Sequence, residues 1–333
     1  MSSQESTGSA VNPELPYLDA SLVRRLVASQ FPRWAHLPVT AVLPGGNDNR
    51  TFRLGSELSV RLPSGPGYAA AVTKEQRCLP LLARQLPLPV PTPVGLGRPG
   101  QGYPFPWSVY RWIEGEPVSA TGVSDPTAFA TDLASFLVAL RQADPTGGPT
   151  PGEHSFWRGG PLATYHDETL AAIATLTAST GESGSGDGGG DGLDPRACRA
   201  VWDTATNSTW EGDPVWFHGD VAVGNLLVRE GRLAAVIDFG TCGVGDPACD
   251  LVIAWTLFEG DSRAAFRRTV DLDAGTWARA RGWALWKALI TLVGALDGSL
   301  DEDPEIQRAV VAGARHTVAA VVLDAQPLYR HSR

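Results

Sequence analysis

Three oxygen-bearing side chains in two short stretches constrain this chain more than any other feature. His218-Gly219-Asp220-Val221-Ala222-Val223-Gly224-Asn225 places a carboxylate and a carboxamide five positions apart, and Ile237-Asp238-Phe239-Gly240 places a second carboxylate thirteen positions beyond the carboxamide. The residues around them read as short strands. Val215-Trp216-Phe217 leads in, Asn225-Leu226-Leu227-Val228 leads out, Arg229-Glu230-Gly231-Arg232 has the composition of a turn, and Leu233-Ala234-Ala235-Val236-Ile237 runs back. Such a hairpin brings Asn225 and Asp238 close together. Taken singly, each stretch fits a tight turn capped by its Asp. Together and in this order they predict one site.

The same order and spacing mark the protein-kinase signature, in which a catalytic-loop Asp and Asn five apart are followed by Asp-Phe-Gly. The chain resembles the aminoglycoside phosphotransferase family of antibiotic kinases. That family has His-Gly-Asp in place of His-Arg-Asp, and a second acidic motif matched here by Gly245-Asp246-Pro247-Ala248-Cys249-Asp250-Leu251. The resemblance runs from about residue 39 onward and is most specific between His218 and Asp250. It implies an α+β, bilobal protein-kinase-like fold, with a small β-rich N-lobe at 15–112 and a larger, mainly helical C-lobe at 113–333, after a disordered start at 1–14. It implies that Asp220 orients the acceptor hydroxyl and accepts its proton, while Asn225 and Asp238 hold the Mg2+ that bridges the phosphates of ATP, or of GTP. His218 would shape the loop. Asp246 and Asp250 would support it, Asp250 by capping a helix and bracing the catalytic loop.

The N-terminal part fits that frame with one departure. Asp19 to Phe31 has helical spacing, Val39 to Leu43 reads as a strand, and Thr51 to Leu54 as its partner across Pro44-Gly45-Gly46-Asn47-Asp48-Asn49-Arg50. This turn lacks a GxGxxG pattern; by its place in the resemblance, Gly46 and Asn49 belong to a phosphate-covering loop. Arg61, in a third strand at Glu57 to Pro63, occupies the position of the usual kinase lysine. Glu75, in a helix expected from Ala69 to Leu79 and ended or kinked by Pro80, would pair with it. A guanidinium is always charged and can make a forked phosphate contact. Pro106 to Ile113 reads as a strand, followed by a turn at Glu114-Gly115-Glu116-Pro117. The resemblance assigns the backbone of Tyr110, Arg111, Trp112 and Ile113 to the nucleobase edge.

Beyond residue 113 the pattern turns helical. Asp125-Pro126 is a helix start, with Phe129, Leu133, Phe136, Leu137 and Leu140 on one face. Leu162 to Leu176 forms another helix. Residues 181–192 are a Gly/Ser/Asp-rich insertion expected to be flexible. Helices are further expected at roughly 246–258, 275–296 and 303–322. Tryptophans at helical spacing are usually core, and Trp255 is the one expected nearest a substrate. Trp157-Arg158-Gly159-Gly160 resembles a stretch found in members of the family and has no assigned role.

Charge and composition bear on partners and compartment. The net charge is −9, and residues 118–256 carry 18 acidic against 6 basic side chains. Phosphate backbones would be repelled there, so nucleic acid is not an expected partner. A cationic small molecule would be attracted, as it would be to any acidic surface. With the resemblance, this favours an aminoglycoside or other antibiotic as the hydroxyl acceptor, with a metabolite alcohol of the choline or homoserine type, or a catalytically silent nucleotide-binding regulator, as alternatives. No apolar run reaches the roughly 18 residues of a membrane span. Four cysteines without CxxC or zinc spacing (Cys78, Cys198, Cys242, Cys249) fit free thiols in a cytoplasmic protein.

Overall fold

The computed structural model describes residues 16–43, 48–118, 122–181, 193–300 and 303–326. They divide into two compact units. One comprises the described residues up to Gln76 together with Pro93–Trp112; the other comprises Arg77–Thr92 and the described residues from Ile113 onward. Arg77–Thr92, expected with the N-terminal region, therefore clusters with the second unit.

The first unit contains helix α1 (Ala20–Gln30), strands β1 (Val39–Ala41), β2 (Asn49–Leu54) and β3 (Leu58–Pro63), most of helix α2 (Pro66–Leu82), and strands β4 (Pro93–Gly97) and β5 (Trp107–Arg111). The strands form one antiparallel sheet in the order β1-β2-β3-β5-β4. Asp19 caps α1 by accepting the Leu22 N–H at 2.8 Å, and Leu22, Val23, Leu26 and Val27 form its buried stripe. That stripe belongs to the same core as Phe52, Leu54, Val60, Leu62, Trp107 and Val109 from the sheet. Full burial of each large aliphatic side chain contributes roughly 1.5–3 kcal/mol.

Helix α2 corrects an expectation. It continues through Pro80 to Leu82. A proline there removes one helical N–H, at a cost of about 3 kcal/mol. Val72, Cys78, Leu79 and Leu82 are buried on both sides of it, and that burial outweighs the local penalty.

The second unit holds β6 (Glu116–Pro117), α3 (Pro126–Gln142), α4 (His166–Gly181), α5 (Pro195–Thr206), β7 (Val215–Phe217), β8 (Leu226–Arg229), β9 (Arg232–Val236), β10 (Gly243–Gly245), α6 (Ile253–Thr256), α7 (Gly260–Val270), α8 (Ala274–Asp297) and α9 (Pro304–Ala325). Strands β6, β8 and β9 form one small antiparallel sheet, and β7 pairs with β10. Glu116 and Pro117, expected in a turn, instead pair with Val228 and Leu227. The helix expected at 246–258 is a 3-10 segment, Pro247–Val252, followed by the single turn of α6. Trp255 is buried edge-on against Trp277, a core residue as tryptophans at helical spacing usually are. Residues 182–192 of the expected insertion lie outside the described residues.

All four cysteines are buried thiols, and burial pushes that of Cys198 up to about 12. No helix among the described residues is long and apolar enough to cross a membrane.

Candidate active site

Strand β7 ends at Phe217, and the chain turns sharply through His218, Gly219 and Asp220. The Asp250 carboxylate holds this turn, accepting the His218 N–H at 2.8 Å and the Gly219 N–H at 2.7 Å. Asp250 is fully buried, and burial raises its pKa; the His218 imidazole and these two amides pull the other way without cancelling the rise. The expectation that Asp250 also caps a helix is corrected here: Asp246 is the cap, accepting the Ala248 N–H at 3.1 Å, and Asp250 lies inside the 3-10 segment.

Gly219 has φ +87°, and a Cβ there would lie 2.8 Å from both the carbonyl and hydroxyl oxygens of Thr241. Only glycine fits that bend. His218 is buried, with Nε2 at 3.0 Å from the Ile237 carbonyl and Nδ1 at 3.2 Å from the Asp220 N–H. The Asp220 amide must donate, so Nδ1 accepts and Nε2 carries the proton. The imidazole thus ties the turn to the strand that ends in Asp238.

Asp220 has both carboxylate oxygens engaged. Lys287 Nζ donates to Oδ1 at 2.7 Å, and Asn225 Nδ2 donates to Oδ2 at 3.0 Å and to the Asp220 carbonyl at 2.9 Å. Burial raises the Asp220 pKa, but the attraction and hydrogen bond of Lys287, with His218 and Arg158 behind them, outweigh it and leave the carboxyl below its ordinary value. The side chains of Asp220 and Lys287 are 36% and 44% exposed, so this pair is open to an incoming molecule.

The β8–β9 hairpin does what its sequence predicts. The Ile237 N–H donates to the Asn225 carbonyl at 2.9 Å, which sets Asn225 beside the residue preceding Asp238. Asp238 has φ +66° and ψ +68°, a left-handed conformation uncommon outside glycine. Phe239 behind it is buried, with its ring 4.6 Å from that of His218.

Asp246 meets Arg279 from α8. Arg279 Nε is 2.7 Å from Oδ2 and Nη2 is 3.3 Å from Oδ1. Both side chains are buried, and burial raises the Asp246 pKa despite the guanidinium.

In the first unit, Arg61 and Glu75 come together, with Nη1 and Oε1 3.6 Å apart. Tyr110 donates its hydroxyl to the other Glu75 oxygen. Burial, then the Glu75 charge, pushes the Tyr110 pKa far up, so this hydroxyl stays protonated. The Tyr110 side chain is therefore a buried strut for Glu75. The Trp112 N–H donates to the Glu57 carbonyl at 2.7 Å, within the unit. Arg111 ends β5 opposite Leu58, and Ile113 begins the second unit. Asn49 opens β2 opposite Pro63, and Gly46 lies outside the described residues.

A groove of about 820 Å³ in the second unit runs along α4, α8 and α9 between residues such as Leu176, Leu292, Val311 and Val318. It contains none of these groups. Asp220 lies instead at a small recess of about 20 Å³, walled by Arg158, Cys249, Trp283, Trp286 and Lys287 among others. Sequence patterns did not place Lys287 here. One signal existed: with 2 lysines against 25 arginines, a lysine in this chain is unusual.

A β-sheet N-terminal part, a helical C-terminal part and this loop-and-hairpin geometry define the kinase-like fold of the aminoglycoside kinases. The profile of the Phosphotransferase enzyme family matches residues 39–283, and the chain belongs to that family. The GDP complex of wild-type aminoglycoside 2'-phosphotransferase-IIIa is similar in structure, with a TM-score of 0.65 at 17% identity over 92% of this chain and 99% of that one. A macrolide 2'-phosphotransferase from Brachybacterium faecium has a TM-score of 0.54 at 21% identity, over 89% of this chain and 97% of that one. An aminoglycoside 3'-phosphotransferase of Escherichia coli is 43% identical over 47 residues, which span 14% of this chain and only 17% of that protein.

Proposed function

We propose that this protein is a magnesium-dependent O-phosphotransferase that moves the γ-phosphoryl group of ATP or GTP to a hydroxyl of a small molecule. The observation that carries the reading is the ionised, doubly held carboxylate of Asp220 beside the hairpin that presents Asn225 and Asp238. A new bond forms between the acceptor oxygen and the γ-phosphorus as the bond to the bridging oxygen of the nucleotide breaks, and the acceptor's proton passes to Asp220. Because such transition states are loose, orientation and charge stabilisation supply most of the acceleration.

Asn225 turns its amide nitrogen toward Asp220, which leaves its amide oxygen to act as a lone-pair ligand elsewhere. With the Asp238 carboxylate it forms a hard, all-oxygen set suited to Mg2+, which keeps water and phosphate in its remaining positions. Asn225 and Asp238 would hold such an ion, which would supply charge neutralisation at the phosphates of the nucleotide. Arg61, oriented by Glu75, is assigned to the α and β phosphates, Gly46 and Asn49 to the phosphate loop, and the backbone around Tyr110–Ile113 to the base. Residues 15–112 would serve nucleotide binding and 113–333 catalysis and acceptor binding. Four buried cysteines that form no disulfide favour a cytoplasmic setting.

The names of the structural neighbours, which include kanamycin, gentamicin and streptomycin complexes and a macrolide kinase, favour an antibiotic as acceptor. A metabolite alcohol on the same scaffold is the second reading. A silent nucleotide binder would need no base, and Asp220 is held as one. The test is a panel of antibiotics and small alcohols with ATP and GTP, scored by mass spectrometry for the gain of one HPO3. Asp220→Ala is expected to lower turnover by at least about 10²-fold while leaving the thermal midpoint in place. Near-normal turnover in that variant refutes the assignment.

A further inference from the structure

Building on the phosphotransfer reading, we propose that the acceptor is recognised through an oxyanion, a carboxylate or comparable group, bound by Arg158 and Lys287 beside Asp220, and not through a set of amines. The recess around Asp220 is lined by Arg158, Lys287, Trp283, Trp286 and Cys249, with Gly219, Val221 and Val252 filling its floor. Two of its charged groups are cations and one is the Asp220 carboxylate. Cys249 adds no charge, since burial holds its thiol protonated. Close by, the Glu168 carboxylate accepts the Trp286 indole N–H at 2.6 Å and is a second acidic group near the recess.

The cations have donors to offer. Arg158 donates through Nη1 to the Phe156 carbonyl at 3.1 Å, which leaves most of its five N–H groups for a forked contact. The Lys287 ammonium has three N–H groups and directs one to Asp220. A polycationic acceptor would bring ammonium groups against the Arg158 guanidinium and against Lys287, whose charge Asp220 already partly balances. An oxyanion would complete both.

The turn that carries Arg158 is built at a local energetic cost. Phe156 and Trp157 have consecutive left-handed φ values of +47° and +54°. Each such non-glycine residue costs on the order of 1–3 kcal/mol and persists where its surroundings fix it, often at ligand sites. Here the fixing contacts are explicit. Trp157 N–H reaches the Gly152 carbonyl at 2.9 Å, Tyr165 Oη donates to the Phe156 carbonyl at 2.7 Å, and the Asp246 N–H donates to the Gly159 carbonyl at 2.9 Å. Gly159, at φ +74°, approaches so closely that a Cβ would lie 2.1 Å from the Phe217 ring. The guanidinium then rests 4.8 Å from the Trp286 ring centroid and 5.7 Å from that of Trp283. Both indoles are buried, so they back the cation and do not serve as a stacking face for the acceptor. This gives the Trp157-Arg158-Gly159-Gly160 stretch a role: it presents one preset positive charge at the mouth of the site.

The test uses three probes of one shape and three charges: 4-(hydroxymethyl)benzoate, its carboxamide, and 4-(hydroxymethyl)benzylamine, with kanamycin as a polycation. Each is titrated calorimetrically into the full chain loaded with MgADP. The carboxylate is expected to bind about tenfold more tightly than the carboxamide or the amine, the ~1.4 kcal/mol of one charge-assisted contact. In Arg158→Met and in Lys287→Met that ratio should fall to about two or less, and Arg158→Lys should retain part of it. Absence of carboxylate binding, tighter binding of the amine or kanamycin, or a ratio unchanged in both folded variants overturns the proposal. So does a weakened MgATP affinity in the variants with the acceptor ratio intact, which would assign the two cations to the nucleotide. Failure of the wild-type chain to bind MgATP at all counts separately, against the phosphotransfer reading itself.

Discussion

At the scale of single residues, Lys287 controls the proton affinity of Asp220. The folded-state pKa of Asp220 lies below its ordinary value because burial, which raises it, is outweighed by Lys287 together with His218 and Arg158. The carboxylate is therefore ionised throughout the neutral and mildly acidic range, and the acid limb of kcat/KM falls at lower pH than an unpaired Asp would give. Lys287→Met removes the attraction and leaves the burial. The pKa should rise, and the acid limb should move to higher pH, read directly from a pH–rate profile. Gly219 is a second single-residue constraint. Gly219→Ala strains a φ of +87° and presses a methyl group on Thr241, so a loss of about 1–3 kcal/mol is expected in urea unfolding, with turnover falling as the turn shifts. The meeting of Asp220 with Asn225, and of Asn225 with the residue before Asp238, was legible in the sequence because short spans and a hairpin join them. Lys287 was not, because it reaches Asp220 from 67 positions away along a helix whose other residues look like ordinary core.

At the scale of elements, the hairpin and the long helices follow directly from local pattern. The apolar stripe of α3 and its Asp125 cap, which accepts the N–H groups of Thr127 and Ala128, lie where the spacing puts them. Elements whose form depends on distant partners were less readable. Glu116–Pro117 becomes a strand only because β8 offers an edge, and 247–252 tightens into 3-10 geometry around two buried carboxylates. One of these, Asp246, depends on Arg279. Arg279→Met leaves a buried carboxylate without its counter-ion, which typically costs about 3–5 kcal/mol. Burial already raises the Asp246 pKa, and losing the guanidinium raises it further. The penalty should therefore be largest at neutral pH and shrink as the pH falls through the raised value and the carboxyl protonates. Urea midpoints of wild type and variant at neutral and mildly acidic pH test this, and an equal loss at both would contradict it.

At the scale of the whole molecule, the described residues form two compact units, with Arg77–Thr92 in the second. The acidic excess of residues 118–256 was legible as a number but not as a location. Much of it serves helix caps such as Asp125 and Asp194, buried braces such as Asp246 and Asp250, and surface pairs such as Arg232 with Asp132, while the recess itself is lined by cations. Nucleotide binding offers a test at this scale. MgADP at a hundred times its Kd should stabilise the unit that binds it by about 2.7 kcal/mol, seen as a rise in thermal midpoint. A chelator should reverse most of the rise, and Asp238→Ala should abolish the metal-dependent part.

Helix α8 connects these scales. Arg279 and Lys287 are eight residues apart on it, about 12 Å along the axis, and each grips a carboxylate from a different loop. Substitutions between them change packing locally. Inserting or deleting one residue there would swing one anchor by roughly 100° about the axis, so that either the Asp246 brace or the Asp220 contact is lost. Length, more than composition, is thus what this segment must preserve as the sequence drifts.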